Sequence, residues 1–378
     1  MSRTVVLVAA WDWVLFNFRM PIARALRSSG CEVILVAPPG DYVEALRSEG
    51  WDFEPWLVSR RGLNPLSQLA SVIRLARIYR RRRVATALHF TMKPIYLGTL
   101  AARLAGVEQV VNTFTGLGYL FGSSTTARLL RTGLVPFARV LFPRRRTRLV
   151  VQNPNDVEAI RSAGWIGPRV GVAVVPGSGV DLERFSPHTD VHDTVIAVFA
   201  GRLIRSKGVA DLEATAHLLR QQGASVVVRI LGEPDPGNPE SLDEATIEQW
   251  RSEGLVQMPG YVDDVAAALA AADIAVLPSE REGLPRFLLE AAAAGLPSIA
   301  TDVPGNRDVI DHEITGLLVP PHDPKALCTA ITRLASDPAL RQRMGAAARN
   351  KAEAQFSDAA IADAYLGMVI GVTESKAS

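Results

Sequence analysis

Ala272-Asp273-Ile274-Ala275-Val276-Leu277-Pro278-Ser279-Glu280-Arg281-Glu282-Gly283-Leu284-Pro285-Arg286-Phe287-Leu288-Leu289-Glu290-Ala291-Ala292-Ala293-Ala294-Gly295-Leu296-Pro297-Ser298-Ile299-Ala300-Thr301 decides the fold class of this chain. The short apolar run ending at Pro278 predicts a buried strand. Pro285 suits the first position of a helix, and the apolar stretch through Ala294 is stopped by Gly295-Leu296-Pro297. Ser298 to Thr301 predicts the next strand. A strand, a helix and a strand in this order form a parallel pair with a right-handed crossover. Open sheets of that kind bind ligands beyond the carboxyl ends of their strands. Glu282 falls in that loop, and Glu290 falls about a turn and a half into the helix. Helix N-termini attract phosphate, whereas carboxylates accept hydrogen bonds from hydroxyls. A ligand with an anionic middle and hydroxyl-rich ends, such as a nucleotide-sugar, suits both. Two glutamates at this spacing also arise by chance in helical proteins, so their place at a strand end carries the weight.

The same alternation extends in both directions. Strands are predicted at Val5–Ala10, Glu32–Ala37, Ala85–His89, Gln109–Thr113, Leu149–Gln152 and Val172–Val175, with helices such as Pro21–Ser28 between them. A polar stretch from Ser186 to Asp193 reads as a link. The pattern restarts with Val195–Ala200, Val226–Leu231 and strands near Gln257, Ile274, Ser298 and Leu317. The expected architecture is α/β: two Rossmann-like lobes with parallel sheets facing a central cleft. Residues 1–190 form the first lobe and 191–356 the second, with a last helix in 357–378 able to return to the first.

The 378 residues are 48% hydrophobic and 21% charged, which is ordinary for a globular chain of two or three domains. Cys31 and Cys328 lie far apart without metal-ligand spacing, which fits a reducing cytoplasm and no structural disulfide or zinc. The apolar Thr4–Ala10 lacks a basic lead and a cleavage site, so it reads as a first strand rather than a signal peptide. No uninterrupted apolar window is long enough to span a bilayer.

The net charge of +2 hides an asymmetry: residues 1–190 carry 25 Lys and Arg against 13 Asp and Glu, and the remainder carries 16 against 26. The positive charge clusters at Arg74, Arg77 and Arg80–Arg83, and again at Arg128, Arg131, Arg139, Arg144–Arg146 and Arg148. Leu66, Leu69, Ile73, Leu134, Phe137 and Leu141 are interleaved with it. Such a pattern suits an anionic membrane surface, and it equally suits a solvated basic face on core helices. No nucleic-acid motif accompanies it.

After Val195–Ala200 comes Gly201-Arg202-Leu203-Ile204-Arg205-Ser206-Lys207-Gly208. Gly201 lets a ligand approach the backbone, and Arg202 and Lys207 can neutralise a diphosphate at the sheet edge. This loop, the Glu282–Glu290 segment, Ala294–Gly305 and Gly316-Leu317-Leu318-Val319-Pro320 together resemble the retaining GT-B glycosyltransferases of family four, over nearly the whole chain. The resemblance implies that Arg202 and Lys207 hold the donor pyrophosphate and Glu290 the ribose. It places Glu282 at the transferred sugar and Val262 beside the base, with Gly201 and Gly283 among the donor-binding residues.

Phe16-Asn17-Phe18-Arg19, His89-Phe90-Thr91-Met92-Lys93-Pro94, Asn112–Tyr119 and Gln152-Asn153-Pro154-Asn155-Asp156 are similar to the branch that extends undecaprenyl-diphosphate-linked sugars in capsule and exopolysaccharide assembly. That likeness implies a UDP-sugar donor, a lipid-diphosphate-linked acceptor and a cytoplasmic enzyme lying on the inner face of the membrane. Asp12, Asn17, Arg19, His89, Lys93 and Thr115 are the acceptor-site candidates. His89 fits either an acid–base or a structural role. The chain has Thr115 where many members have a histidine, and Trp11-Asp12-Trp13 where many have a double glycine, so a histidine-centred role does not transfer to Thr115. The implied reaction needs neither a protein nucleophile nor a cofactor, and no metal site is visible in the sequence. A UDP-sugar epimerase and a non-catalytic membrane scaffold share the architecture. A dinucleotide oxidoreductase is disfavoured, because no G-x-G-x-x-G follows either lobe's first strand.

Overall fold

The computed structural model describes residues 3–58, 64–115, 125–142, 146–167, 170–187 and 194–371. Thirteen strands are formed among them: β1 Thr4–Val8, β2 Glu32–Ala37, β3 Asp52–Pro55, β4 Thr86–Phe90, β5 Gln109–Thr113, β6 Thr147–Val151, β7 Val172–Val174, β8 Val195–Ala200, β9 Val226–Leu231, β10 Val256–Gly260, β11 Ile274–Leu277, β12 Ser298–Thr301 and β13 Gly316–Val319. They make a seven-stranded sheet in the order β3-β2-β1-β4-β5-β6-β7 and a six-stranded sheet in the order β10-β9-β8-β11-β12-β13. The strand pairings are parallel throughout.

Helices cover both faces of such sheets, so their strands are buried on both sides and read as continuous apolar runs. β1 shows this directly. Val5 and Leu7 enter one core cluster, while Val6 and Val8 enter the cluster on the other face. In both sheets the strand order reverses beside the first strand of the unit, between β1 and β4 and between β8 and β11. That reversal opens a crevice at the carboxyl ends of the strands.

The chain divides into two compact units, one running up to Gly179 and resuming at Asp358, the other spanning Val180–Ser357. The division falls upstream of the polar stretch Ser186–Asp193, most of which lies outside the described residues. The reason is packing: Val180 and Phe185 are buried in the second core, and Arg349 Nη1 donates to Leu182 O and Phe185 O. The last helix, Asp358–Ile370, belongs to the first unit. There Gln109 Nε2 donates to Met368 O at 2.7 Å, and the Thr113 and Tyr365 hydroxyls lie 2.9 Å apart.

Two elements differ from the sequence reading. Asp12–Phe18, between the expected strand Val5–Ala10 and helix Pro21–Ser28, is a helix joined at Arg19 to a second helix, Met20–Ser28. β3 lacks an apolar run, since Asp52-Phe53-Glu54-Pro55 carries two charges; it is an edge strand, where alternate residues face water and Pro is tolerated.

Candidate active site

The crevice of the second sheet holds a cavity of about 390 Å³. Gly201 and Arg202 after β8, Gly232 to Pro234 after β9, and Tyr261 and Val262 after β10 form its rim. Arg286, Phe287 and Glu290 form its other wall. Backbone closeness sets this shape. Gly232 has φ +141°, and a Cβ there would sit 1.8 Å from Gly201 O, so the first two loops meet at a point only glycine can occupy. Gly208 has φ +71° and packs against Pro278 O, where a Cβ would lie at 2.1 Å. That contact pins the turn Arg205–Lys207 to the end of β11 and brings Lys207 Nζ within 2.6 Å of Glu282 Oε1.

Glu282 is held from behind as well. A Cβ on Gly305 would meet Glu282 O and Gly283 O at 2.7 and 2.6 Å, so this loop packs tightly on the start of the helix Pro304–Val309. Glu290 is the fifth residue of the helix Arg286–Ala293, whose N-cap Pro285 makes no side-chain cap bond. Its carboxylate is buried and lies 2.6 Å from Arg286 Nε. Burial raises the Glu290 pKa, and Arg286, with a contribution from Arg184, opposes that rise. Arg202 reaches Asp235 at 2.6 Å. Arg202, Lys207 and Arg286 thus each meet a carboxylate, Asp235, Glu282 and Glu290 in turn.

Of the residues singled out from sequence, Gly201, Arg202, Val262 and Glu290 line the cavity. Lys207, Glu282 and Gly283 lie outside its lining, with Lys207 and Glu282 paired to each other. Sequence reasoning missed Arg286, although it stands four residues before Glu290, the spacing that brings side chains together on a helix. It also missed Asp235, which lies in the Gly- and Pro-rich loop after β9. Among the described residues one group, Glu213, His217 and Glu253, has metal-ligand proximity; it stands on the helices Val209–Gln221 and Glu244–Glu253, and none of the three lines this cavity.

In the first unit the acceptor candidates have different surroundings. Asp12 is fully buried and accepts from the backbone N–H groups of Trp13 and Tyr42, at 2.9 Å each, so its carboxylate ties the loop after β2 to the helix after β1. Asn17 is exposed and donates to Trp13 O at 3.0 Å. Arg19 is buried with its guanidinium 4.5 Å from the centroid of the Phe90 ring. Lys93 is half-buried, and burial lowers its pKa. Thr91, just before it, takes φ +73°, a strained value for a β-branched residue. Thr115 is half-buried beyond β5, and Gly116–Tyr119 lie outside the described residues.

His89 is enclosed on every side. Nδ1 lies 2.8 Å from Asn112 Oδ1, an acceptor, so Nδ1 carries the proton and Nε2 accepts from the Tyr79 hydroxyl at 2.9 Å. A side chain at Gly98 would collide with the ring. Burial lowers its pKa from 6.5 to about 4, against a smaller opposing effect of the Asn112 bond. The unfolded chain thus takes up this proton before the folded one does. Stability contributed by neutral His89 is complete above pH 6.5 and is lost as pH falls toward 4, by about 3 kcal/mol at that pH. Urea unfolding followed from pH 7 to pH 4 checks this, and His89→Gln is expected to flatten the dependence in that window. An unchanged slope in the variant would show that other groups cause it.

Two family models match the chain: one described as glycosyl transferase 4-like over residues 4–150, the other as glycosyl transferases group 1 over 182–351. The Campylobacter jejuni N,N'-diacetylbacillosaminyl-diphospho-undecaprenol alpha-1,3-N-acetylgalactosaminyltransferase is 26% identical, covering 93% of this chain and 94% of its own length. The Escherichia coli UDP-Gal:alpha-D-GlcNAc-diphosphoundecaprenol alpha-1,3-galactosyltransferase is 27% identical over 82% of each chain. Sucrose-phosphate synthase from Thermosynechococcus elongatus superposes with a TM-score of 0.80 at 20% identity, covering 99% of this chain and all of the other. Anabaena HepE, solved in complex with UDP, gives 0.79 at 17% identity, covering 97% and 99%.

Two Rossmann-type units with these structural neighbours define the GT-B fold. The chain belongs to the family-four glycosyltransferases, its two halves matching that family's two models.

Proposed function

We propose that this enzyme transfers a hexose or N-acetylhexosamine from a UDP-sugar, with retention of configuration, to a sugar carried on undecaprenyl diphosphate. The observation that carries the reading is the cavity at the second sheet's edge, lined by Arg202, Arg286 and the buried Glu290, together with the Lys207–Glu282 pair in the neighbouring loops after β8 and β11. A UDP-sugar needs countercharge at its diphosphate and acceptors for its ribose and sugar hydroxyls. Arg202 and Lys207 supply the first, Glu290 and Glu282 the second. The apolar sides of Val262 and Val265 suit a base. The acceptor hydroxyl attacks the anomeric carbon as its bond to the diphosphate breaks, and a donor phosphate oxygen takes the hydroxyl proton. Electrostatic stabilisation of the leaving UDP is then the main catalytic contribution. In this scheme the two cations provide the countercharge, and neither a cofactor nor a metal ion has a part. Both Campylobacter jejuni and Escherichia coli relatives carry diphospho-undecaprenol acceptors in their names.

A place on the inner face of the cell membrane is supported by the first unit's surface. Leu66, Leu69 and Ile73 form an exposed apolar stripe on the helix Pro65–Arg81, with Leu66 78% exposed, and Arg74 and Arg77 are exposed beside it. Other arginines of the cluster have structural duties. Arg80 caps the helix ending at Ala105 through Leu104 O, Arg139 donates to Gly164 O, and Arg146 pairs with Glu108. Arg81 and Arg82 pair with Glu54 and Asp52. Within this helix the exposed charge beside the leucines is that of Arg74 and Arg77, while the side chains of Arg128, Arg131, Arg144 and Arg145 lie outside the described residues. No described helix is long and apolar enough to cross a membrane.

The test is a screen of UDP-sugars for thermal stabilisation, followed by an assay of the best donor with prenyl-diphosphate-linked sugars in anionic vesicles. Transfer with retained anomeric configuration is expected, with Leu66→Glu/Leu69→Glu losing vesicle co-sedimentation. An epimerised sugar formed without acceptor, or no nucleotide-sugar binding at all, would overturn the proposal.

A further inference from the structure

We infer that Asp235 is an internal counter-anion that exchanges with the donor diphosphate for Arg202 and recovers it as the nucleoside diphosphate departs. This rests on the reading of the cavity as the donor site. Arg202 follows β8 and Asp235 follows the neighbouring strand β9, so the two loops stand side by side at the sheet edge. Their side chains meet at 2.6 Å.

The two partners differ in how they are held. The Asp235 carboxylate accepts from Asn238 Nδ2 at 3.0 Å, its own backbone N–H donates to Ser241 Oγ at 2.9 Å, and Asn238 N–H returns to Asp235 O at 3.0 Å. The loop itself is stitched to the one bearing Arg202. Leu203 N–H donates to Glu233 O, Leu242 N–H to Leu203 O, and Arg205 N–H to Glu240 O, at 2.8 to 2.9 Å. Arg202, by contrast, has a side chain 60% exposed on a long flexible stem. The fixed member is the carboxylate and the one that can swing is the guanidinium. Arg202 lines the cavity and Asp235 does not, so the swing carries the charge from beside the cavity into it.

Each cation here has its own carboxylate: Lys207 has Glu282 and Arg286 has Glu290. Those two glutamates have sugar and ribose hydroxyls to engage when the ligand enters. Asp235 lies off the cavity wall, where its carboxylate holds Arg202 and accepts from Asn238. A diphosphate, with more charge than one carboxylate, displaces it; once UDP leaves, the prepositioned carboxylate takes Arg202 back. No covalent step is involved.

The test is a double-mutant cycle on UDP affinity by calorimetry with the full-length chain. Asp235→Asn is expected to tighten UDP about five-fold, the size of an exposed ion pair. It should leave affinity unchanged in an Arg202→Ala background. Asp235→Glu, which keeps the charge, should retain the parent affinity and so separates charge from loop support. The gain should shrink as salt is raised. Unchanged or weaker binding by Asp235→Asn, or the same tightening with and without Arg202, overturns the exchange. If Arg202→Ala leaves UDP affinity intact, the donor-site reading fails with it. If Arg202→Ala weakens UDP and Asp235→Asn does nothing, the exchange alone fails.

Discussion

Lys207→Ala is expected to lower kcat by about 10²- to 10³-fold, the range seen when one preorganised donor to a developing negative charge is removed. The geometry gives two reasons. Lys207 closes a turn locked by Gly208 against Pro278, so its ammonium is delivered by a rigid element rather than a wandering stem. Its partner Glu282 has a side chain only 11% exposed, and 2.6 Å separates the charged atoms. Removing the cation leaves that carboxylate poorly solvated and without its countercharge, so it is no longer held in place to accept from the sugar. Two contributions to the transition state are lost in one substitution. Initial rates with saturating donor measure kcat, and a circular dichroism melt checks that the unit still folds. A loss smaller than about ten-fold would remove Lys207 from the catalytic machinery. Glu282→Gln separates the two effects, because it leaves the ammonium in place and removes only the carboxylate.

The fold was legible because parallel strands buried on both faces announce themselves as apolar runs with helices between them; β8, β9, β11 and β12 all read that way. β3 did not, since an edge strand carries charge and Pro. The helix Asp12–Phe18 was hidden for a different reason: it lacks a capping side chain, its N-cap being Trp11, and its aromatic residues obscure a helical period. Arg202, Lys207 and Glu282 stood out in the sequence as charged residues in the loops after buried strands, and Glu290 as a charge inside the helix that follows one. Asp235 was not, because its partnership depends on two loops meeting over Gly201 and Gly232, a contact between residues far apart in sequence. His89 shows the converse. Its place at the end of β4 suggested chemistry, while Tyr79, Asn112 and Gly98, which enclose it, come from three other segments.

Glu290→Gln is expected to weaken UDP binding by at least ten-fold without lowering the melting temperature of the ligand-free chain at pH 7. A hydrogen bond to a charged group is worth about 1.5–3 kcal/mol, one to two orders of magnitude in affinity. In the ligand-free chain the balance runs the other way. Burial lifts the Glu290 pKa above its ordinary value even with Arg286 beside it. A carboxyl whose folded pKa is raised binds its proton more tightly in the folded state, so ionising it costs stability. That cost is absent at acid pH and appears as pH rises from the unfolded value through the folded one. Glutamine has the same shape and no charge to bury, so the variant should lose this dependence. Arg286, with its side chain 35% exposed, keeps its hydration when its partner is neutral. A residue that costs stability when empty and repays it only through a ligand is what a binding role requires. Thermal melts of both forms from pH 5 to 8, with UDP titrations at pH 7, read the two quantities separately. A melting temperature lowered by more than about 4 °C with UDP affinity intact would make Glu290 a structural brace for the helix Arg286–Ala293 instead.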